Sequence, residues 1–401
     1  MKELAYGTGE TGIPHGIPHG IPHGIPHGIP HGIPHGIPQG DPDGHPDGDL
    51  EGLEGLGDYP GRIPAGDPPG VPISADVPGN SPESDPQRAV NRRGPKVVAL
   101  GGGHGLYASL SALRTVTTDL TAVVTVADDG GSSGRLRREL GVLPPGDLRM
   151  ALAALCGDDE WGKTWSRVVQ HRFRSEGELH GHAVGNLLIV ALWELLDDPV
   201  KGLDWVGRLL GAHGRVLPMA SVPLDIQAEV ELDGVVTTVQ GQVACAVTPG
   251  RVQAISLLPP DPPACPQAVE AIEEADWVVF GPGSWFTSVL PHLKVPELAH
   301  ALHSTSARRL VILNLAPQPG ETDGFSPEKH LEVLREHAPS LLIDAVLADE
   351  GVVGDLRELE KAAVSLGGRL VLADVAASDG SPRHDGPRLA AVLDEIFREK
   401  R

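Results

Sequence analysis

The residues that could do chemistry gather in three short glycine-rich segments. The first is Gly101-Gly102-Gly103-His104-Gly105, which follows the apolar run Val97-Val98-Ala99-Leu100 and precedes a helical pattern from Leu106. Glycines this dense let the backbone take left-handed angles and press its N–H groups against a ligand, and a helix that starts there adds the positive end of its dipole. From Gly103 the segment reads G-x-G-x-x-A through Gly105 and Ala108, with Asp128 at the end of a second strand, as in a dinucleotide fingerprint. A tight turn that binds nothing would also use glycine, though it needs only one or two.

The second segment is Asp128-Asp129-Gly130-Gly131-Ser132-Ser133-Gly134-Arg135. Gly130 and Gly131 are expected at positive φ, forming a nest of N–H groups. Ser132 and Ser133 add hydroxyl donors, and Arg135 adds a bidentate cation. Asp128 and Asp129 are expected to grip Mg²⁺ or a ribose hydroxyl; a flexible loop with a capping aspartate is the alternative. The third segment, Gly281-Pro282-Gly283-Ser284-Trp285-Phe286-Thr287-Ser288, again follows an apolar strand. Gly283, Ser284, Thr287 and Ser288 offer amides and hydroxyls near a helix start, as phosphate sites do and as a capped helix also does. A charge-assisted hydrogen bond is worth roughly 1.5–3 kcal/mol, so a few reach about 8 kcal/mol, the scale of micromolar binding.

His182 and Asn186, four residues apart at the entrance of an apolar helix, share one face and could meet a base, a sugar or a carboxylate, or form a polar helix entrance satisfied internally. His180 and His182 lack the further ligands a zinc site needs. Asp147 is expected to cap a helix opened by Pro145-Gly146, with Arg149 in reach of the ligand or paired to Asp147. Asn314 and Glu321-Thr322 follow another strand end and serve either the cleft or loop capping.

These residues must be positioned by strands and helices in alternation, which is the pattern of an α/β fold with a largely parallel sheet flanked by helices. Strands are predicted at Val97–Leu100, Leu120–Val126, Trp277–Phe280 and Leu310–Leu315. Helices are predicted at Leu106–Arg114, from Asp147 onward through Val168, and at Val184–Leu196, Pro266–Glu274, Glu297–His303 and Gly386–Arg398. Ile226–Leu232 and Val235–Val243 alternate around Asp233-Gly234, a small antiparallel β-hairpin excursion with a type I′ turn.

Residues 1–94 differ in composition. The unit Ile-Pro-His-Gly repeats from Ile13 through Gly36, and proline every fourth residue excludes helix and ladder pairing. A long disordered N-terminal tail is expected there. His15, His19, His23, His27, His31 and His35 would bind a divalent metal weakly or be a tract expansion with no metal role. The chain of 401 residues has a formal net charge of -22, which argues against a nucleic-acid partner. Its three cysteines form no CxxC pair, and it shows no signal peptide and no membrane span. A cytoplasmic protein follows, and a homo-oligomer is expected.

Several of these stretches together resemble the gluconeogenesis factor family (YvcK-like). They are Gly101–Leu106, Val126–Arg137, Pro145–Arg149, Gly181–Leu187, Gly281–Ser284 with Thr287-Ser288, and Gln318–Gly324. Asn314-Leu315-Ala316-Pro317 departs from the family's Asn-Leu/Ile-Met-Thr. The resemblance implies a Rossmann-like domain over residues 95–401 that binds a UDP-sugar such as UDP-N-acetylglucosamine, with no required cofactor. It implies a regulatory role in cell shape and cell-wall synthesis during gluconeogenic growth, with a morphogenesis protein as partner. The sibling family, 2-phospho-L-lactate transferase (CofD-like), implies the alternative: transfer of a phospholactyl group from a nucleotide diphosphate donor to a deazaflavin, with Mg²⁺ at Asp128 and Asp129. A nicotinamide-dependent oxidoreductase is disfavoured, because Asp128 stands beside a second phosphate-type nest rather than alone over a ribose.

Overall fold

The structure, a computed structural model, describes residues 94–318 and 321–399. Ten strands are named in chain order: β1 Val97–Gly101, β2 Leu120–Val124, β3 Arg215–Pro218, β4 Asp225–Leu232, β5 Val235–Gln240, β6 Arg251–Leu258, β7 Trp277–Phe280, β8 Arg308–Ile312, β9 Ala345–Asp349 and β10 Arg369–Ala373. The helices are α1 Gly103–Val116, α2 Gly131–Leu140, α3 Gly146–Ala154, α4 Glu160–Gln170, α5 Val184–Leu196, α6 Pro199–Leu210, α7 Gln242–Val247, α8 Pro266–Glu273, α9 Pro296–Ser304, α10 Pro327–His337, α11 Leu356–Ser365 and α12 Gly386–Arg398.

Seven strands form one sheet in the order β10-β9-β8-β7-β1-β2-β3, and every pairing in it is parallel. Helices cover both faces of such a sheet, so its central strands are apolar throughout rather than alternating. β1, β7 and β9 are buried at every residue. The chain leaves β1 in one direction through β2 and β3, then returns to β7 and builds outward on the other side. The gap between the carboxyl ends of β1 and β7 is therefore the switch point at which open parallel sheets bind ligands.

β4, β5 and β6 make a separate antiparallel sheet with β4 in the middle. Asp233 and Gly234 both have positive φ (53° and 78°), as the type I′ turn requires. The expected hairpin is present and is extended, and two expected strand ends are corrected. The hairpin is part of a three-stranded sheet, because β6 returns against β4. The second hairpin strand ends at Gln240 rather than Val243, where Gly241 (φ 101°) turns the chain into the short helix α7. β2 also ends two residues early: the Thr125 amide makes the last ladder bond, to the Gly101 carbonyl, where β1 itself ends. The parallel strands β3, β9 and β10 and the helices α6, α10 and α11 were not anticipated. The repeat tail lies outside the described residues. Among those described, no helix is long and apolar enough to cross a membrane.

Candidate functional site

The first and third glycine segments meet at the switch point. Gly105, in the first turn of α1, lies so close to Pro282 and Gly283 that a Cβ there would sit 2.6 Å from the Pro282 carbonyl carbon, with the Pro282 oxygen and Gly283 Cα nearer still. Gly103 takes φ 56°, which bends the strand end into the helix. The N-cap of α1 is Gly102, which has no side chain to cap the first-turn amides, and His104 stands exposed at the mouth. Thr125 joins the segments from behind: its hydroxyl lies 2.9 Å from the Ser288 carbonyl and 3.2 Å from that of Gly101. Sequence reasoning missed Thr125. Its signal is the one hydroxyl in the apolar run Ala122-Val123-Val124-Thr125-Val126-Ala127.

The amino end of α3 closes the floor. A Cβ on Gly102 would meet Asp147 Oδ2 and would lie 3.3 Å from Ser288 Oγ. A Cβ on Gly146 would meet Ser133 Oγ and lie 2.8 Å from Asp128 Oδ2. Gly102, Asp128, Ser133, Gly146, Asp147 and Ser288 are thus packed together in one cluster. Contrary to the sequence expectation, Asp147 does not cap α3. Pro145 holds the N-cap position and Asp147 lies inside the first turn, which aims its carboxylate at Gly102.

In the second segment only Gly131 is left-handed (φ 43°); Gly130 is extended at φ -93°. The chain enters α2 at Gly131, so Ser132 and Ser133 belong to a helix and both are buried. Asp128 Oδ1 accepts from the Gly130 amide at 2.9 Å. Asp129 points away, and its Oδ1 accepts from the Val243 amide at 3.0 Å, tying α7 to the loop. The two carboxylates thus hold different backbone amides, and among the described residues no group of three or more His, Cys, Asp or Glu is gathered as a metal site. Arg135 donates to the carbonyls of Glu178 (3.1 Å) and His180 (2.6 Å) and staples that loop to α2.

His182 and Asn186 both reach Ser132, the residue their spacing could not name. Ser132 Oγ lies 3.0 Å from His182 Nδ1 and 3.0 Å from Asn186 Nδ2. Arg149, nearly fully buried, donates from Nε to Asn186 Oδ1 at 3.0 Å. Burial, with Arg135 beside it, holds the His182 imidazole below its ordinary pKa.

The third segment is filled by the protein itself. The Glu321 carboxylate accepts from the Ser284 hydroxyl (2.6 Å), the Phe286 amide (2.6 Å) and the Thr287 amide (2.9 Å). Burial raises the Glu321 pKa although these bonds oppose it. Ser284 and Thr287 hydroxyls also bond each other. The Gly283 amide donates to Asn314 Oδ1 at 2.8 Å, and Asn314 Nδ2 returns a bond to the Gly283 carbonyl. Asn314 and Glu321 therefore cap the loop. The donors expected of Gly283, Ser284 and Thr287 are spent on holding it, and Ser288 Oγ faces the crevice.

The helices that start around this cluster, α1, α2, α3 and α5, have Gly102, Gly130, Pro145 and Ala183 at their N-caps and no side-chain cap. Elsewhere α4, α6, α11 and α12 are capped by Asp159, Asp198, Asp355 and Asp385, while α8, α9 and α10 also lack a side-chain cap but begin on proline rather than glycine. Unpaired first-turn amides attract anions. A cavity of about 790 Å³ near Gly94, Thr117 and Phe397 opens beside residues that precede β1 and β2, and it has no such arrangement of amides.

Residues 97–375 match the family described as 2-phospho-L-lactate transferase CofD. The chain belongs to the CofD family. A relative from Mycobacterium tuberculosis (strain ATCC 25618 / H37Rv) is 56% identical over 307 residues, covering 75% of this chain and 90% of its own. The gluconeogenesis factor of Listeria monocytogenes serovar 1/2a is 38% identical over 313 residues, covering 75% and 94%; the mycobacterial relative carries the same name in provisional form. A solved UPF0052-family protein from Bacillus halodurans is 33% identical with a TM-score of 0.68, covering 77% of this chain and 99% of its own. The CofD-family match spans all three glycine segments and both caps of the third.

Proposed function

We propose that this CofD-family chain is a UDP-sugar-binding regulatory protein. The reading is carried by one observation: uncapped, glycine-lined helix starts converge at the switch point of a parallel sheet. The diphosphate of a nucleotide sugar lies over the first turn of α1, between Gly103–Gly105 and the Ser133 and Ser288 hydroxyls. His182, at the entrance of α5, meets the sugar or the base. Occupancy alters the affinity for a cell-wall or morphogenesis protein, which supports cell shape and wall synthesis during gluconeogenic growth. The names of the relatives support the link to gluconeogenic growth.

Isothermal calorimetry with UDP-N-acetylglucosamine tests it. Saturable binding with the nucleotide sugar recovered unchanged is expected. Absence of heat at millimolar ligand overturns the proposal.

The family's own description favours a second reading, a transferase that moves a phosphorylated group from a nucleotide diphosphate donor. The same crevice would hold the donor diphosphate while an acceptor hydroxyl attacks. Formation of a phospholactyl-deazaflavin from donor and deazaflavin would establish that reading in place of the first.

A further inference from the structure

The polar chain behind His182 has a fixed direction. A guanidinium only donates hydrogen bonds. Arg149 therefore forces Asn186 to present its oxygen at 3.0 Å and to turn its NH₂ toward Ser132. Arg149 is itself held by Gln170 Oε1 at 3.2 Å. Ser132 Oγ accepts from Asn186 Nδ2 at 3.0 Å and from the Ala183 amide at 3.4 Å, which uses both of its lone pairs. Its one proton goes to the remaining neighbour, His182 Nδ1, at 3.0 Å. A neutral imidazole that accepts at Nδ1 carries its proton on Nε2. His182 Nε2 has no hydrogen-bond partner among the described residues and is not sealed from solvent, although the residue as a whole is buried.

We propose that Arg149, Asn186 and Ser132 are positioning residues that lock His182 as the Nε2–H tautomer, so that it meets the bound ligand as a neutral donor to a phosphoryl or carbonyl oxygen. A ligand that offers a donor at this point is rejected, because neither ring nitrogen is free to accept. The lock also resists protonation. A proton on Nδ1 would face a Ser132 oxygen whose lone pairs are already taken. The charged groups that face the ring are Arg135 and Glu139 from α2 and Arg172 and Glu178 from the loop before α5; Arg135 is the one that also staples the loop. The tautomer is a property of the free protein, whereas its acceptor rests on the nucleotide-sugar reading above.

Long-range ¹H–¹⁵N correlation of the histidine rings in the full-length ¹⁵N-labelled chain tests the lock, with the His182 signals assigned by their loss in His182→Gln. The wild type is expected to show an unprotonated Nδ1 and a protonated Nε2 at neutral pH. In Asn186→Asp the new carboxylate accepts from Arg149 and takes the Ser132 proton, so Nδ1 of His182 is expected to become protonated. Ser132→Ala, which removes only the relay atom, is expected to give a tautomer mixture and keeps the test open should the aspartate variant fail to fold. An Nδ1–H ring in the wild type, or a spectrum unchanged in both variants, overturns the lock. The donor role is read by calorimetry with UDP-N-acetylglucosamine, where His182→Phe should weaken binding about tenfold. Equal affinity overturns the donor role alone. No binding by the wild type overturns the nucleotide-sugar reading and the acceptor with it, while the ring spectrum still decides the lock.

Discussion

Placing a methyl group on Gly105 would drive it into the backbone of Pro282 and Gly283, neither of which can swing aside as a side chain can. Gly105→Ala should therefore separate the first and third segments, at about 1–3 kcal/mol by the usual scale of overpacking, and abolish ligand binding. Gly103→Ala is the control. A Cβ there meets only Asp147 Oδ1 at 3.9 Å, so its cost is the left-handed φ of 56°, about 1–2 kcal/mol, and binding should survive. Urea denaturation and calorimetry on both variants check the pair. At this scale the sequence showed which residues matter more clearly than what they do. Glycine density at 101–105 marked a close approach but could not reveal that the surface approached is another turn of the same protein. Arg135 and Asp129 looked like ligand groups because residue type was all that was visible. Their actual partners, the Glu178 and His180 carbonyls and the Val243 amide, are set by long-range packing. Glu321 was noticed with two roles open, and its bonds to Ser284, Phe286 and Thr287 decide for the cap.

Among the elements, α7 depends on a neighbour for its start. Gly241 supplies no side-chain cap, and the Asp129 carboxylate serves instead, from a loop more than a hundred residues earlier. A side-chain cap is worth about 0.5–2 kcal/mol, so Asp129→Ala should loosen α7 locally. Hydrogen exchange at Val243 should accelerate while the melting temperature of the whole chain moves little. Unchanged protection at Val243 would show that Asp129 does not hold this helix. The elements legible in advance were those with strong local signals: β1 and β7 from unbroken apolar runs, α5 and α12 from periodicity, and the Asp233-Gly234 turn from its dipeptide. β3, β9 and β10 escaped because four- or five-residue apolar strands look like pieces of the adjoining helices. β6 escaped because an antiparallel return strand after α7 has no local mark other than its alternation.

For the whole molecule, acid stability should follow buried imidazoles. Burial holds His292, which is fully enclosed, at a pKa of about 4, and His384 also at about 4. Unfolded, both would bind a proton near pH 6.5, so the unfolded chain takes up protons that the native one refuses. Their stabilising contribution is full above about pH 6.5 and is lost as pH falls toward about 4, at about 3 kcal/mol for His292 and less for the half-buried, solvent-screened His384. Calorimetric melting temperatures should therefore drop across that window, and His292→Gln should flatten the curve. The same order of scales supports the functional account, in which a sheet switch point gathers helix starts and the helix starts gather amides around it. A crystal structure of the chain with UDP-N-acetylglucosamine examines this most directly. The diphosphate is expected within hydrogen-bond distance of the Gly103–Gly105 amides, with His182 Nε2 against a ligand oxygen. A nucleotide sugar bound away from the carboxyl ends of β1 and β7 would contradict the account.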